Sequence, residues 1–356
     1  MKQKRLFTCC TTLFMLCLMS ISCTSKRSER PLAKFEPEDG QCYLFVGQEA
    51  EAIGGYDSLT GYIDHFQAPY GITIYTNFRK DDTSYNHTYT GLDGLTSAAN
   101  WGAGICYADK QLMAPALDGC AIAIGLELVN HEQDVAAGLC DSNILGLGEW
   151  ISKYKDRQVF LRIGYEFDGH AWNHYEAEAY VAAFRRIVDK LRKMHIDNVA
   201  FVWQCIGADS TPEDLVNYFP GDDYVDWCGY SHFRDGTSPA MLDFARLHKK
   251  PVFIAEATPM FRQKEGKAVS LHLDNPEEAN RAWKEWFAPL FQLIDDNPDL
   301  IKALSYINCH WEVQPMWQDG GIFSQIDARL ETSDSISKKW NQEMKKEVFV
   351  LGASKK

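Results

Sequence analysis

Two glutamates stand where short apolar runs end. Val159-Phe160-Leu161-Arg162-Ile163 leads within three residues to Glu166, and Val252-Phe253-Ile254-Ala255 runs directly into Glu256. A pair of carboxyl groups, one protonated and one ionised, is what cleavage of a glycosidic bond requires. The acid donates to the departing oxygen while the carboxylate attacks or supports the anomeric carbon. A gap of roughly 5–5.5 Å between them implies a covalent intermediate and retained stereochemistry, provided the surroundings push their two pKa values apart. Arg162, four residues before Glu166, is a cation that could keep a carboxylate ionised, either as support for the chemistry or as a plain ion pair beneath it.

The elements that must hold these residues recur along the chain. Apolar runs at Tyr43–Val46, Ile72–Tyr75, Ala121–Ile124, Val159–Ile163, Val199–Trp203, Tyr224–Cys228, Val252–Ala255 and Ala303–Ile307 are rich in β-branched and aromatic residues and mostly continuous. Continuous runs mark strands covered on both faces. Between them, Val181, Phe184, Ile187, Val188 and Leu191 fall on one helical face, with Arg185, Arg186, Lys190 and Arg192 opposite. Thr211-Pro212-Glu213-Asp214 and Asn275-Pro276-Glu277-Glu278 read as helix starts. Eight strands alternating with helices predict a single-domain α/β fold, a (β/α)8 TIM barrel over residues 41–345. A doubly wound open sheet is the competitor, but Val46-Gly47-Gln48-Glu49 is not the Gly-rich turn it usually carries.

In such a barrel the functional groups lie at the C-terminal strand ends. Those ends fall near Glu127, from Arg162 to Trp172, at Trp203-Gln204, at Tyr230-Ser231-His232, at Glu256 and at Asn308-Cys309-His310-Trp311. Glu166 and Glu256 then close the fourth and seventh strands, roughly across the ring from each other. Trp311 is the candidate platform beneath a sugar ring, with Trp172, Trp203 and Trp317 either extending a cleft or serving as core. Tyr230 and His232 are candidates to hydrogen-bond substrate or Glu256, or to pack the barrel. His170 and His174 lack a third ligand at suitable spacing, so no metal is expected, and no cofactor is implied. Phosphate loops, GxSxG elbows and HExxH helices are absent from the sequence. The stretches Asp82–Gly104 and Phe261–Pro276 are expected to shape the mouth.

The first residues read as a leader. Lys2, Lys4 and Arg5 precede an apolar run, Leu6–Ile21, too short for a comfortable membrane span. Ser20-Ile21-Ser22-Cys23 resembles a bacterial lipoprotein cleavage site, although Ser20 stands where an aliphatic residue is usual; a plain secretory signal is the alternative. The expected organisation is a signal peptide over 1–22, a polar linker over 23–40, then the barrel. The protein would be exported, and either held at the cell envelope through a lipid on Cys23 or secreted. Loss of residues 1–22 takes the net charge from −13 to −16, which disfavours nucleic acid as a partner. Seven cysteines follow Cys23, an odd number at wide spacings without a CxxC pair, so neither a disulfide framework nor a zinc site is indicated; pairing among Cys106, Cys120 and Cys140 stays open.

The segment from Phe160 to Trp172 resembles the acid/base region of glycoside hydrolase family 26, whose best-known members are β-mannanases. Arg162, Glu166 and the neighbouring Gly and Trp all have counterparts there. Pro220–Gly229 looks like that family's sixth strand and Lys250–Glu256 like its nucleophile strand, and the resemblance runs from Val159 to Trp311. It implies an eightfold barrel, retaining chemistry, Glu166 as acid/base and Glu256 as nucleophile. Arg162, Tyr165, Trp172, Trp203, Tyr230, His232 and Trp311 become the candidates for binding substrate. Tyr165 replaces the His that mannanases usually place before the acid/base Glu, and Phe233 stands near their sixth-strand Tyr. Both positions bear on which sugar is accepted. The expected partner is a β-linked polysaccharide, mannan first and mixed-linkage β-glucan or β-xylan next, cut by a monomer. A surface glycan-binding lipoprotein that does not cut is the alternative of another class.

Overall fold

The computed structural model describes residues 30–55, 60–233, 236–260 and 271–352. The leader and Cys23 lie outside the described residues, as does most of the Phe261–Pro276 stretch. Eight parallel strands form the centre: β1 (Cys42–Gly47), β2 (Gly71–Asn77), β3 (Ala121–Glu127), β4 (Val159–Ile163), β5 (Val199–Cys205), β6 (Trp227–His232), β7 (Val252–Ala257) and β8 (Ile301–Ile307). Each pairs with the next and β8 returns to β1, so the sheet closes into the expected barrel. The sixth strand starts three residues later than its apolar run predicts. Tyr224 is held in a turn by its N–H to Gly221 O, and pairing with β5 begins only at Trp227.

Side chains alternate in and out along each strand. The lower interior is filled by Phe45, Phe160, Trp227 and Phe253 against Ala121, Ala123, Ala200 and Ala303, large groups set beside small ones. Their rings meet edge-on or tilted, with centroids 5.0–5.3 Å apart for Phe45–Phe253, Phe45–Phe160 and Phe160–Trp227. Further toward the C-terminal ends of the strands, two residues beyond Phe160 and four beyond Ala200 and Trp227, the same inward row carries Arg162, Gln204 and Ser231, with Tyr75 beside them on β2. The apolar floor thus becomes a polar mouth within one or two repeats of the pleat.

The outward row packs on helices that return the chain to the base. The helix Ala177–Lys193 buries Tyr180, Ala183, Phe184, Ile187, Val188 and Leu191, while Val181 is only half-buried. Both predicted helix starts cap as expected. The Thr211 side chain accepts from Asp214 N–H, and that of Asn275 accepts from the N–H groups of Glu277 and Glu278.

Packed structure extends beyond residues 41–345 at both ends. From Arg30 onward, the stretch expected to be a polar linker forms a plug under the barrel. Trp227 Nε1 donates to Lys34 O at 2.8 Å, and the Phe35 ring lies 5.8 Å from that of Phe160. Lys302, fully buried, donates from Nζ to Asp39 Oδ1 at 2.7 Å and to Pro298 O at 2.9 Å. At the other end the fold runs past residue 345, because Phe349–Val350 pairs with Cys42 and Tyr43 at the start of β1. Removing one partner of a buried ion pair leaves the other uncompensated. Lys302→Ala is therefore expected to lower the unfolding free energy by about 3 kcal/mol, read as an earlier urea midpoint. An unchanged midpoint would mean that the plug contributes nothing to stability.

Candidate active site

Glu256 reaches the mouth because β7 breaks register. Tyr230 pairs with Ile254, but the next residue, Ser231, pairs with Glu256, so Ala255 is an extra residue in the strand. Strict alternation from Phe253 would send Glu256 outward; the bulge turns it in. There its Oε1 accepts from Arg162 Nη1 at 2.7 Å and from Gln204 Nε2 at 3.3 Å. Arg162 is completely buried, with its guanidinium carbon 4.9 Å from the centre of the Tyr75 ring and 5.3 Å from that of Tyr165. Room for this stack comes from Gly125, opposite Arg162 on β3. A Cβ there would lie 2.5 Å from the Tyr75 ring and 2.7 Å from Arg162 Nη2.

Glu166 lies in the loop after β4, in a left-handed backbone conformation with φ of 53°. A non-glycine residue holds that conformation only when its surroundings enforce it. Asn173 does so: its buried amide donates to Tyr165 O at 3.0 Å and to Glu166 O at 2.7 Å. The Glu166 side chain is gripped at both oxygens, Oε1 accepting from Ser231 Oγ at 2.6 Å and Oε2 from Trp172 Nε1 at 3.0 Å. Burial, then the charge of Glu256, pushes the Glu166 carboxyl up to about 8, against the opposing pull of those two donors. The two carboxyl groups therefore have unlike surroundings. One is held against a buried guanidinium; the other, among neutral donors, keeps a proton near neutral pH.

A cleft of about 660 Å3 opens above them. Its lining includes Tyr165, Trp172, Trp311 and Trp317, together with Tyr85 and Trp101 from the stretch between β2 and β3. Trp311 is fixed by a 4.4 Å stack on Phe323 and by its Nε1–H to Thr258 Oγ1 at 3.2 Å, whereas Trp172 is half-exposed. Glu127, at the end of β3, also lines the cleft and pairs with Arg79.

Of the residues singled out from sequence, the structure brings together Glu166, Glu256, Arg162, Tyr165, Trp172 and Trp311. Three others turn away. Trp203 stacks on Phe167 at 4.5 Å and donates to Tyr218 O, facing the helices. Tyr230 is fully buried and His232 packs at 5.6 Å from the Trp286 ring, where burial lowers the imidazole pKa to about 3 and keeps it neutral. The reason is parity: these three alternate with Gln204 and Ser231, which take the inward positions. His170 faces Asp214 at 3.1 Å rather than His174. The described cysteines, Cys42, Cys106, Cys120, Cys140, Cys205, Cys228 and Cys309, are all free and buried.

Tyr75, Gln204, Ser231 and Asn173 were not singled out from sequence, although three of them carry a legible signal. Each lies an even number of residues from a bulky inward residue or a small one on the same strand: Tyr75 from Thr73, Gln204 from Val202 and Ser231 from Gly229. Asn173 has no such signal, since its partners are backbone carbonyls.

A parallel eightfold barrel with two unlike carboxyl groups at the mouth of an aromatic cleft defines a glycoside hydrolase. Comparison with known proteins narrows this. The family description "Glycosyl hydrolase family 26" matches residues 125–267. A β-1,3-xylanase from Alcaligenes sp. is 30% identical over 339 residues, covering 90% of this chain and 67% of the relative. The β-1,3-xylanase TXYA from Vibrio sp. is 31% identical over 335 residues, covering 89% and 67%. Among solved structures, a family 26 β-mannanase from Bacteroides ovatus superposes with a TM-score of 0.53 at 14% identity, covering 88% of this chain and 90% of that one. The chain belongs to glycoside hydrolase family 26.

Proposed function

We propose that the protein is a retaining endo-β-1,3-xylanase in which Glu256 is the nucleophile and Glu166 the acid/base. The observation that carries the mechanism is the hydrogen-bonded chain from Glu166 through Ser231 and Gln204 to Glu256, closed by Arg162. Glu256 attacks the anomeric carbon while Glu166 passes its proton to the leaving oxygen, and a glycosyl ester forms on Glu256. Esterification removes the Glu256 charge, the second largest cause holding the Glu166 proton. Glu166 then becomes acidic enough to act as the base for incoming water. The alkaline limb of kcat/KM is expected near pH 8, because activity needs protonated Glu166 and is lost as pH rises through its pKa.

Two relatives at 30% and 31% identity, both β-1,3-xylanases, favour β-1,3-xylan over mannan. Tyr165 and Phe233, both lining the cleft, depart from the usual mannanase residues in the same direction of argument. The leader residues further support export with attachment through Cys23. The test is reducing-end release on β-1,3-xylan, β-1,4-xylan, β-mannan and mixed-linkage β-glucan, with anomeric NMR of the first product. Preferred cutting of β-1,3-xylan to a ladder of oligosaccharides, with β-anomers appearing first, is expected. A preference for mannan, or α-anomers first, would contradict the substrate or the mechanism respectively.

A further inference from the structure

The hydroxyl of Ser231 stands between the two glutamates, and the direction of its hydrogen bonds is dictated from outside. Arg162 can only donate, so its 2.9 Å contact from Nη1 identifies the Gln204 atom it meets as the amide oxygen. The Gln204 nitrogen is then turned toward Ser231 Oγ at 3.0 Å and Glu256 Oε1 at 3.3 Å. That nitrogen also only donates, so Ser231 accepts from it and has its own proton left for Glu166 Oε1, 2.6 Å away. The side chain is buried, and no other acceptor meets this hydroxyl among the described residues.

We propose that Ser231 is a positioning residue that keeps Glu166 Oε1 an acceptor and so confines the transferable proton to Oε2, the oxygen beside the half-exposed Trp172 indole. This rests on Glu166 being the acid/base. Both oxygens meet a donor, but a proton on Oε1 would turn the buried Ser231 hydroxyl away with no other acceptor in reach. A proton on Oε2 weakens only the contact from the half-exposed Trp172 indole, whose N–H lies toward the open cleft; the first costs more. The Arg162–Gln204–Ser231 relay thus fixes which oxygen of the acid points its proton at the bond to be cut. The same hydroxyl steadies the Glu166 carboxylate in the second half of the reaction. The charged and titratable groups acting on Glu166 are Glu256 from β7 and Asp168 from its own loop, with Tyr175 from the run before the following helix; Arg162 contacts Glu256 instead.

The experiment is the pH profile of kcat/KM for Ser231→Ala, Ser231→Thr and Glu166→Gln on β-1,3-xylo-oligosaccharides, or on whichever glycan of the panel above is cut. Loss of a hydrogen bond to the ionised form is expected to move the alkaline limb of Ser231→Ala upward by about one pH unit, with the plateau lowered. Ser231→Thr, which keeps a hydroxyl, should return the limb toward its original position. A lowered plateau with an unmoved limb would overturn the proposal and leave Glu166 as the acid/base. If Glu166→Gln keeps both full activity and the limb, the acid/base reading itself fails and the proposal with it. Should Ser231→Ala not fold, Gln204→Met carries the test, since it frees the hydroxyl to turn. The limb is then expected to move in the same direction, and an unmoved limb again overturns the idea.

Discussion

Glu256→Gln is expected to lower kcat/KM on the polymer by about four orders of magnitude or more, because an amide cannot form the ester that the ionised Glu256, held by Arg162, would form. The amide isostere is the informative substitution. Glu256→Ala would also strip a buried guanidinium of its carboxylate, and Arg162 already has Nε and Nη2 without partners among the described residues. A loss of about 3–5 kcal/mol of stability in the alanine variant would then be confused with loss of chemistry. Adding azide to the alanine variant, with an activated aryl glycoside, should give a glycosyl azide of inverted configuration, since the small anion enters from the face the carboxylate vacated. An inactive Gln variant together with azide product of retained configuration would exchange the roles of the two glutamates.

The second large effect belongs to Glu166. On polymer, whose leaving group is a poor one, Glu166→Ala is expected to cut the rate by about 10³–10⁴-fold. On a dinitrophenyl glycoside the first step needs little acid assistance, so the glycosyl-enzyme should form and accumulate as an initial burst. Azide should then release it with retained configuration. The variant should also lose the alkaline limb near pH 8, because the group responsible for it is gone. Equal losses on both substrates, with no burst, would show that Glu166 acts on binding and not on proton transfer.

How far the sequence discloses this site depends on what each residue contacts. The eight strands are legible because a barrel strand is covered on both faces, so its apolar run is continuous; helix starts at Thr211 and Asn275 are legible because capping is local chemistry. The assignment of Trp203, Tyr230 and His232 to the cleft fails for a different reason. At a strand end only one parity faces the mouth, and aromatic character does not tell a cleft residue from a core one. Gln204 and Ser231 hold the inward places. Parity alone would in turn have misplaced Glu256, whose inward direction depends on a bulge that no residue type in Ile254-Ala255-Glu256 announces. The plug is illegible because it is tied through a backbone carbonyl, Lys34 O to Trp227, and through an ion pair between residues far apart in sequence, Asp39 and Lys302, so the polar segment looks like a linker.

That plug has a practical bearing on how the molecule can be fastened. Its residues close the base of the barrel, and Phe349–Val350 pairs with the beginning of β1 on the same side, while Glu166, Glu256 and the aromatic walls open at the opposite pole. Both described ends of the chain therefore leave from the rear. Bound to a bead, a scaffold or a second module by either one, the protein would present its mouth outward to an insoluble fibre, and a long tether would be unnecessary.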